Sequence, residues 1–183
     1  MSRASTVALD IETSGINPHT ARIAVVSLFD GKNTAVIHTR GRIDARDMEW
    51  LGDRRWVTQN GTQFDNLLLM RAHPDPQFLP EAWDTRIAES LLDMQVRAPK
   101  FNLRALLKKH TGRDSKEVID HTTWMKPGPL TPNQEAYCAA DVRGLLHIQA
   151  RQEAAARRKG WPYAGLPLKP PYTTPKHLSL IHI

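Results

Sequence analysis

Five side chains in three short stretches of this 183-residue chain could do chemistry together. Asp10 and Glu12 stand at i and i+2 in LDIET, a β-type run, and alternation across a strand sends both to one face. Two carboxylates on one buried face repel each other and lose hydration unless a cation offsets both terms. An oxygen-only donor set selects a hard divalent ion, Mg2+ or Mn2+. A lone D-x-E fits equally an acid turned to solvent at the strand end. Thr13, Ser14 and Gly15 then open a loop through which a substrate can approach. Asp65 closes NGTQFD at the start of an apolar helix, where a carboxylate also serves as an ordinary cap near the positive end of the helix dipole. Asn60 in that stretch reads equally as a turn residue. Tyr137 and Asp141 in YCAAD share one face of a helix at i and i+4. With Ala140, Leu145 and Ile148 expected to pack that helix inward, an acid on its buried side needs a partner or a metal. Taken singly, the pair also fits a tyrosine at the core rim and an exposed acid.

The elements that must position these groups follow from periodicity. Two β-type runs, 6–13 and 23–29, are joined by a turn bearing Gly15, Asn17 and Pro18, and a third, 34–39, follows Asp30-Gly31. The chain therefore opens as an antiparallel meander. A polar helical stretch is expected over 44–51, a short strand over 56–59 and a helix over 64–71. Beyond Pro80 no β-type run is expected. Helices are predicted over 85–94, over 103–110 and from 132 to about 159, the last with Thr131 as cap and Pro132 in its first turn. Strands first and helices around them predict an α/β sandwich with a mixed central sheet flanked by α-helices.

The domain is expected over 1–159. Residues 160–183 hold five of the thirteen prolines and neither hydrophobic period, so they read as a disordered or non-native tail. The closing HLSLIHI looks like read-through sequence rather than a domain end. A hydrophobic content of 40% supports one compact core. Cys138 is the single cysteine, which excludes an intrachain disulfide and a cysteine zinc site and fits a reducing, cytoplasmic setting. No apolar run has the length of a signal peptide or a membrane span. The net charge of +6 suits a polyanion. Residues 151–183 carry most of it, however, with six Lys/Arg against Glu153, so charge alone argues only mildly for nucleic acid.

Together and in this order, LDIET, NGTQFD and YCAAD resemble the three motifs of the DEDD exonuclease superfamily, and Tyr137 four residues before Asp141 resembles its tyrosine (DEDDy) subclass. Trp83-Asp84-Thr85, Ala88, Leu91-Leu92, Leu103, Leu106, Lys116, Trp124 and PLTPNQEAYCAADV are similar to the ribonuclease D side of the superfamily. The proofreading domains of family A DNA polymerases share the plan. The resemblance covers residues 7–149. One departure lies between Asn60 and Asp65, where four residues intervene and many relatives have three.

The resemblance implies a ribonuclease H-like fold and hydrolysis of a single-stranded nucleic acid from its 3′ end, releasing nucleoside 5′-monophosphates with two Mg2+ or Mn2+ ions per site. Asp10 is then expected to bridge both ions, Glu12 and Asp141 to hold the ion on the nucleophile's side, and Asp65 to act mainly through water on the other. Tyr137, with an ordinary pKa near 10, is expected to orient the attacking water rather than deprotonate it. Thr13, Asn60 and Phe64 are the expected substrate contacts, Phe64 by stacking on the terminal base or as a core anchor. Arg104, Lys108 and Lys109 are candidate phosphate contacts on a face that also reads as solvated. The ribonuclease D-like segment leans toward RNA, while the small size leans toward a compact DNA nuclease of a bacterial or phage-infected cell, working beside a polymerase or other replication protein. DNA is slightly favoured. The oligomeric state is left open. A metal-dependent nucleotide phosphohydrolase and a module without turnover are the rival readings.

Overall fold

The structure is a computed structural model that describes residues 6–39, 41–43, 51, 54–73, 81–93, 101–114 and 119–161. Three strands open it, β1 (Thr6–Thr13), β2 (Ile23–Phe29) and β3 (Thr34–His38), followed by β4 (Arg55–Thr58) and β5 (Ala82–Asp84). Their order across one sheet is β3-β2-β1-β4-β5. β1 pairs antiparallel with β2 and parallel with β4, and β5 extends the parallel side. The sheet is thus mixed. The IAVVSLF run of β2 is buried at all but its last residue, as expected for a strand covered on both faces.

Strand alternation divides the core. Val7, Leu9 and Ile11 on one face of β1 pack with Leu68 and Leu69 of helix α1 (Asp65–Ala72). Ala8 on the other face packs with Val142 and Leu145 of the long helix α4 (Pro132–Arg158). Helices α2 (Thr85–Asp93) and α3 (Leu103–Thr111) both pack against α4. α4 spans roughly 40 Å at about 1.5 Å per residue, and its start is fixed by the predicted cap. The Thr131 hydroxyl accepts from the Gln134 N–H at 3.2 Å, and the Thr131 N–H donates back to the Gln134 side chain at 2.9 Å. This reciprocal pair satisfies donors that the helix leaves open. Asn102 caps α3 through the Ala105 N–H at 2.9 Å. At Gly144 an added Cβ would stand 2.4 Å from Leu107, so glycine is what lets α3 and α4 approach this closely.

Two expectations are corrected. A strand does occur beyond Pro80: Ala82–Asp84 pairs with β4 through Trp56, Val57 and Thr58. Three residues are too few to show a period, and it is the parallel neighbour that defines the strand. Ala140 is exposed, and the inward stripe of α4 runs instead through Cys138, Val142, Leu145 and Ile148. The predicted α1 begins one residue later than expected, at Asp65. Of the helix expected over 44–51 only Leu51 is described, buried against the α1 side of the sheet, and Lys116 and residues 162–183 lie outside the described residues.

Candidate active site

β1 carries Asp10 and Glu12 on the face that turns toward α4, because Ala8, Asp10 and Glu12 share one parity. The β1–β2 register shifts between Glu12 and Thr13. This irregularity ends regular pairing immediately after the second acid, a common way for a sheet to re-aim a chain beside a site. Thr13 is half-buried, with its hydroxyl donating to the Gly15 carbonyl at 2.7 Å, and so shapes the loop that follows.

Asp65 reaches the same region from the start of α1. It is 5% exposed and accepts the Ile11 N–H at 3.2 Å, which ties the second motif to the first across 54 residues of chain. The loop before it is tightly built. Asn60 has φ 59°, a left-handed conformation that asparagine tolerates better than most residues. An added Cβ at Gly61 would lie 2.3 Å from Thr58 Oγ1 and 2.8 Å from Asn66 Oδ1, so only glycine fits there. Asp84 holds this loop. Its carboxylate accepts the N–H groups of Asn60 and Thr62, both at 3.0 Å, and those of Arg86 and Ile87 at the start of α2. The Asn60 side chain accepts from Arg86 Nη1 at 2.8 Å. Asp84 is a positioning residue that reading the acids alone passed over, although Asp directly before a helix was the available signal.

Asp141 and Tyr137 come from α4, the first 7% exposed and the second half-buried. The Tyr137 hydroxyl lies close enough to the Asp141 carboxylate for each to shift the other's proton affinity. Its ring also packs on Trp124, with centroids 6.2 Å apart. Phe64 is partly buried against the Val7, Leu9 and Ile11 core, which is the core-anchor arrangement.

The electrostatics show that these groups share one field. Burial, then Asp65, Glu12 and Asp141, push the Asp10 carboxyl well above the usual carboxylate range. Burial, then Asp141 and Asp65, push Glu12 up to about 8. Burial raises Asp65 to about 7, with Asp84 adding to the rise and its backbone hydrogen bonds opposing it. Asp141 rises to about 6 by burial, moderated by the Tyr137 hydroxyl. Burial and the three acids Asp141, Glu12 and Asp10 push the Tyr137 phenol far up, so it keeps its proton at neutral pH. Among the described residues no lysine, arginine or histidine forms an ion pair with any of the four carboxylates. Nor do any three acidic, histidine or cysteine side chains there already close on one point as a cage would.

The donor set fits hard divalent cations: all oxygen, buried or half-buried, and paired with no cationic side chain among the described residues. The cationic residues proposed from sequence are engaged elsewhere. Arg104 pairs with Asp114 at 2.7 Å, and Lys108 lies 3.9 Å from the same acid. Lys109 reaches Glu89 at 2.6 Å and Asp93 at 2.8 Å. No helix among the described residues is long and apolar enough to cross a membrane.

The chain is similar to known proteins both by sequence and by structure. By sequence the chain is 24% identical over 168 residues to ribonuclease D of Escherichia coli K12, and 27% identical over 162 residues to ribonuclease D of Cronobacter turicensis. These matches take in 87% and 85% of this chain but 42% and 41% of the relatives, so the chain spans about two fifths of their length. By structure it superposes on Brucella melitensis NrnC with a TM-score of 0.74 at 24% identity, covering 87% of this chain and 77% of that one. NrnC has also been solved bound to pGG and with bound Mg2+. Escherichia coli RNase D, an exoribonuclease involved in structured RNA processing, superposes with a TM-score of 0.71 at 23% identity, over 87% of this chain and 42% of that one. The fold is the ribonuclease H-like exonuclease fold, with its five-stranded mixed sheet flanked by helices. Residues 1–152 match the model of the 3′-5′ exonuclease family, and the chain belongs to that family of phosphodiester hydrolases.

Proposed function

We propose that this chain hydrolyses single-stranded RNA from the 3′ end, one nucleotide at a time, releasing nucleoside 5′-monophosphates. Asp10, Glu12, Asp65 and Asp141 would hold two divalent cations, Mg2+ or Mn2+. One observation carries the reading: four buried or half-buried carboxylates from three distant stretches all have raised proton affinity, Asp10 and Glu12 through burial and the charges of Asp65 and Asp141, Asp65 and Asp141 through burial, and no cationic side chain among the described residues is paired with them. Bound there, such a pair of ions offsets the charge of the substrate phosphate and makes water a stronger nucleophile at neutral pH.

The protein's own groups supply position. Asp65 is tethered by the Ile11 N–H, and its loop is braced by Asp84, so the second motif keeps a fixed distance from β1. The protonated Tyr137 hydroxyl aims the attacking water through a hydrogen bond, and its strongly raised pKa excludes it as the base. Thr13 and Asn60 border the opening as loop-shaping residues, and Phe64 supports α1 from below the site.

The choice of RNA follows the relatives and reverses the slight preference for DNA drawn from size. Ribonuclease D is among the relatives matched by sequence, and an exoribonuclease and a pGG-bound protein are among the structural matches. These relatives point to nucleic acid as the partner, and the reading includes no replication protein. Digestion of matched 5′-labelled RNA and DNA strands with Mg2+, Mn2+ or chelator tests it. The expected result is a ladder shortened from the 3′ end, faster on RNA and absent with chelator. A preference for DNA would overturn the substrate assignment, and intact strands under every condition would overturn the activity.

A further inference from the structure

A groove of about 630 Å3 runs away from the site between α3 and α4, with Tyr137 and Asp141 at its inner end. Its α4 wall presents Arg143, His147 and Arg151 at i, i+4 and i+8, so they stack along one face of the helix. Arg113, just past the end of α3, faces them from the opposite wall. All four are exposed. Among the described residues none of the four forms an ion pair, and only Arg143 has a side-chain hydrogen bond, donating from Nε to Thr34 Oγ1 at 2.9 Å. The groove's acid besides Asp141 is Asp114, already paired with Arg104 and Lys108. Its lining therefore carries three arginines without an acidic partner among the described residues, with the His147 imidazole between two of them, and begins at the carboxylate cluster.

The spacing suits a linear polyanion. Four helical residues rise roughly 6 Å, and the fourteen from Tyr137 to Arg151 roughly 21 Å. One hydrogen-bonding basic side chain, arginine or imidazole, per helical turn is commensurate with one phosphate per nucleotide along a stretched strand. A compact anion such as a mononucleotide has no use for a row of that length, since it meets only the innermost member. Resting on the exonuclease reading above, we propose that the α3–α4 groove is the track of the substrate strand upstream of the scissile bond. Arg143, His147, Arg151 and Arg113 contact successive phosphates there. The protein thereby favours oligonucleotides that fill the row over dinucleotides that reach only the carboxylates.

The experiment compares 5′-labelled RNA of two, four, six and twelve nucleotides, cut with Mg2+ by the full chain and by the Arg113→Gln/Arg151→Gln variant. Both substitutions are at exposed positions. In the wild type KM should fall with length and level off once the row is filled. In the variant the preference for the 12-mer over the dinucleotide should drop about tenfold. For single strands the slope of log affinity against log salt is about 0.7 per phosphate contact, so losing two should make it shallower by about 1.4. A wild type that cuts dinucleotide and 12-mer with equal KM overturns the track while leaving the exonuclease reading intact. So does a variant with unchanged length preference and salt slope, the result expected if the cations serve an acidic protein partner. Absence of cutting at every length by the wild type is the separate failure of the exonuclease reading, and the track falls with it.

Discussion

Replacing Glu12 by Gln removes one of four clustered charges and keeps the side chain's size, so its effect on stability reads the field of the cluster directly. In the metal-free protein burial, then Asp141 and Asp65, lift Glu12 from 4.5 to about 8. A carboxyl group raised on folding contributes stability that is fully present below its unfolded pKa and is lost as pH rises through the folded one. The window is therefore about pH 4.5 to 8. At about 1.4 kcal/mol per unit, the loss at pH 8 for a fully sequestered group would be about 4 kcal/mol. Solvent screening at this half-buried side chain reduces it to about 2 kcal/mol. In a domain of this size that moves Tm by roughly 4–8 °C. In chelator at pH 8 Glu12→Gln should melt that much above the wild type, with the gap closing toward pH 4.5. Saturating Mg2+ should then stabilise the wild type more than the variant, because an ion bound only by the folded state adds stability in proportion to its affinity. A variant that melts with or below the wild type at pH 8 in chelator would refute the picture of mutually repelling, unpaired acids.

Tyr137→Phe removes the hydroxyl and keeps the ring against Trp124, so it should lower kcat on the order of 10²-fold with little change in KM; steady-state kinetics on a 5′-labelled strand checks this, and equal kcat removes Tyr137 from the mechanism. Gly61→Ala forces a Cβ against the buried Thr58 and Asn66 and should cost about 1–3 kcal/mol in thermal melts, with activity falling as Asp65 shifts. Glu89, 1% exposed, is raised by burial but carried down to about 2 by hydrogen bonds from His110, Gln152 and Lys109. Its contribution is present above pH 4.5 and lost as pH falls toward 2. Glu89→Gln should therefore destabilise the protein at pH 7 by about 3 kcal/mol and flatten its acid unfolding over that window, as denaturant titrations at several pH values will show.

Much of the architecture was legible because the elements that matter obey a local rule. The bounds of β1 and β2 matched their apolar runs, and α4 began where Thr131 as cap and Pro132 in the first turn place it. The placing of Asp10 and Glu12 on one face followed from alternation alone. What escaped the sequence is what depends on neighbours. β5 exists because β4 offers it a parallel edge, and Ala140 faces solvent because the buried stripe of α4 is set by where β1 and Trp124 lie. Arg104 and Lys109 looked free for phosphate until folding brought Asp114, Glu89 and Asp93 beside them. Conversely, Arg143, His147 and Arg151 were visible at helical spacing. Their meaning required the groove that α3 and Gly144 create.

Calorimetric titration of Mn2+ into the metal-free full chain at pH 7, beside the Asp10→Asn and Asp141→Asn variants, tests the central claim most directly. The account predicts two ions per chain for the wild type, with proton release as the raised carboxyls ionise, and loss of at least one ion in each variant. No bound ion, or binding that neither substitution alters, would contradict it.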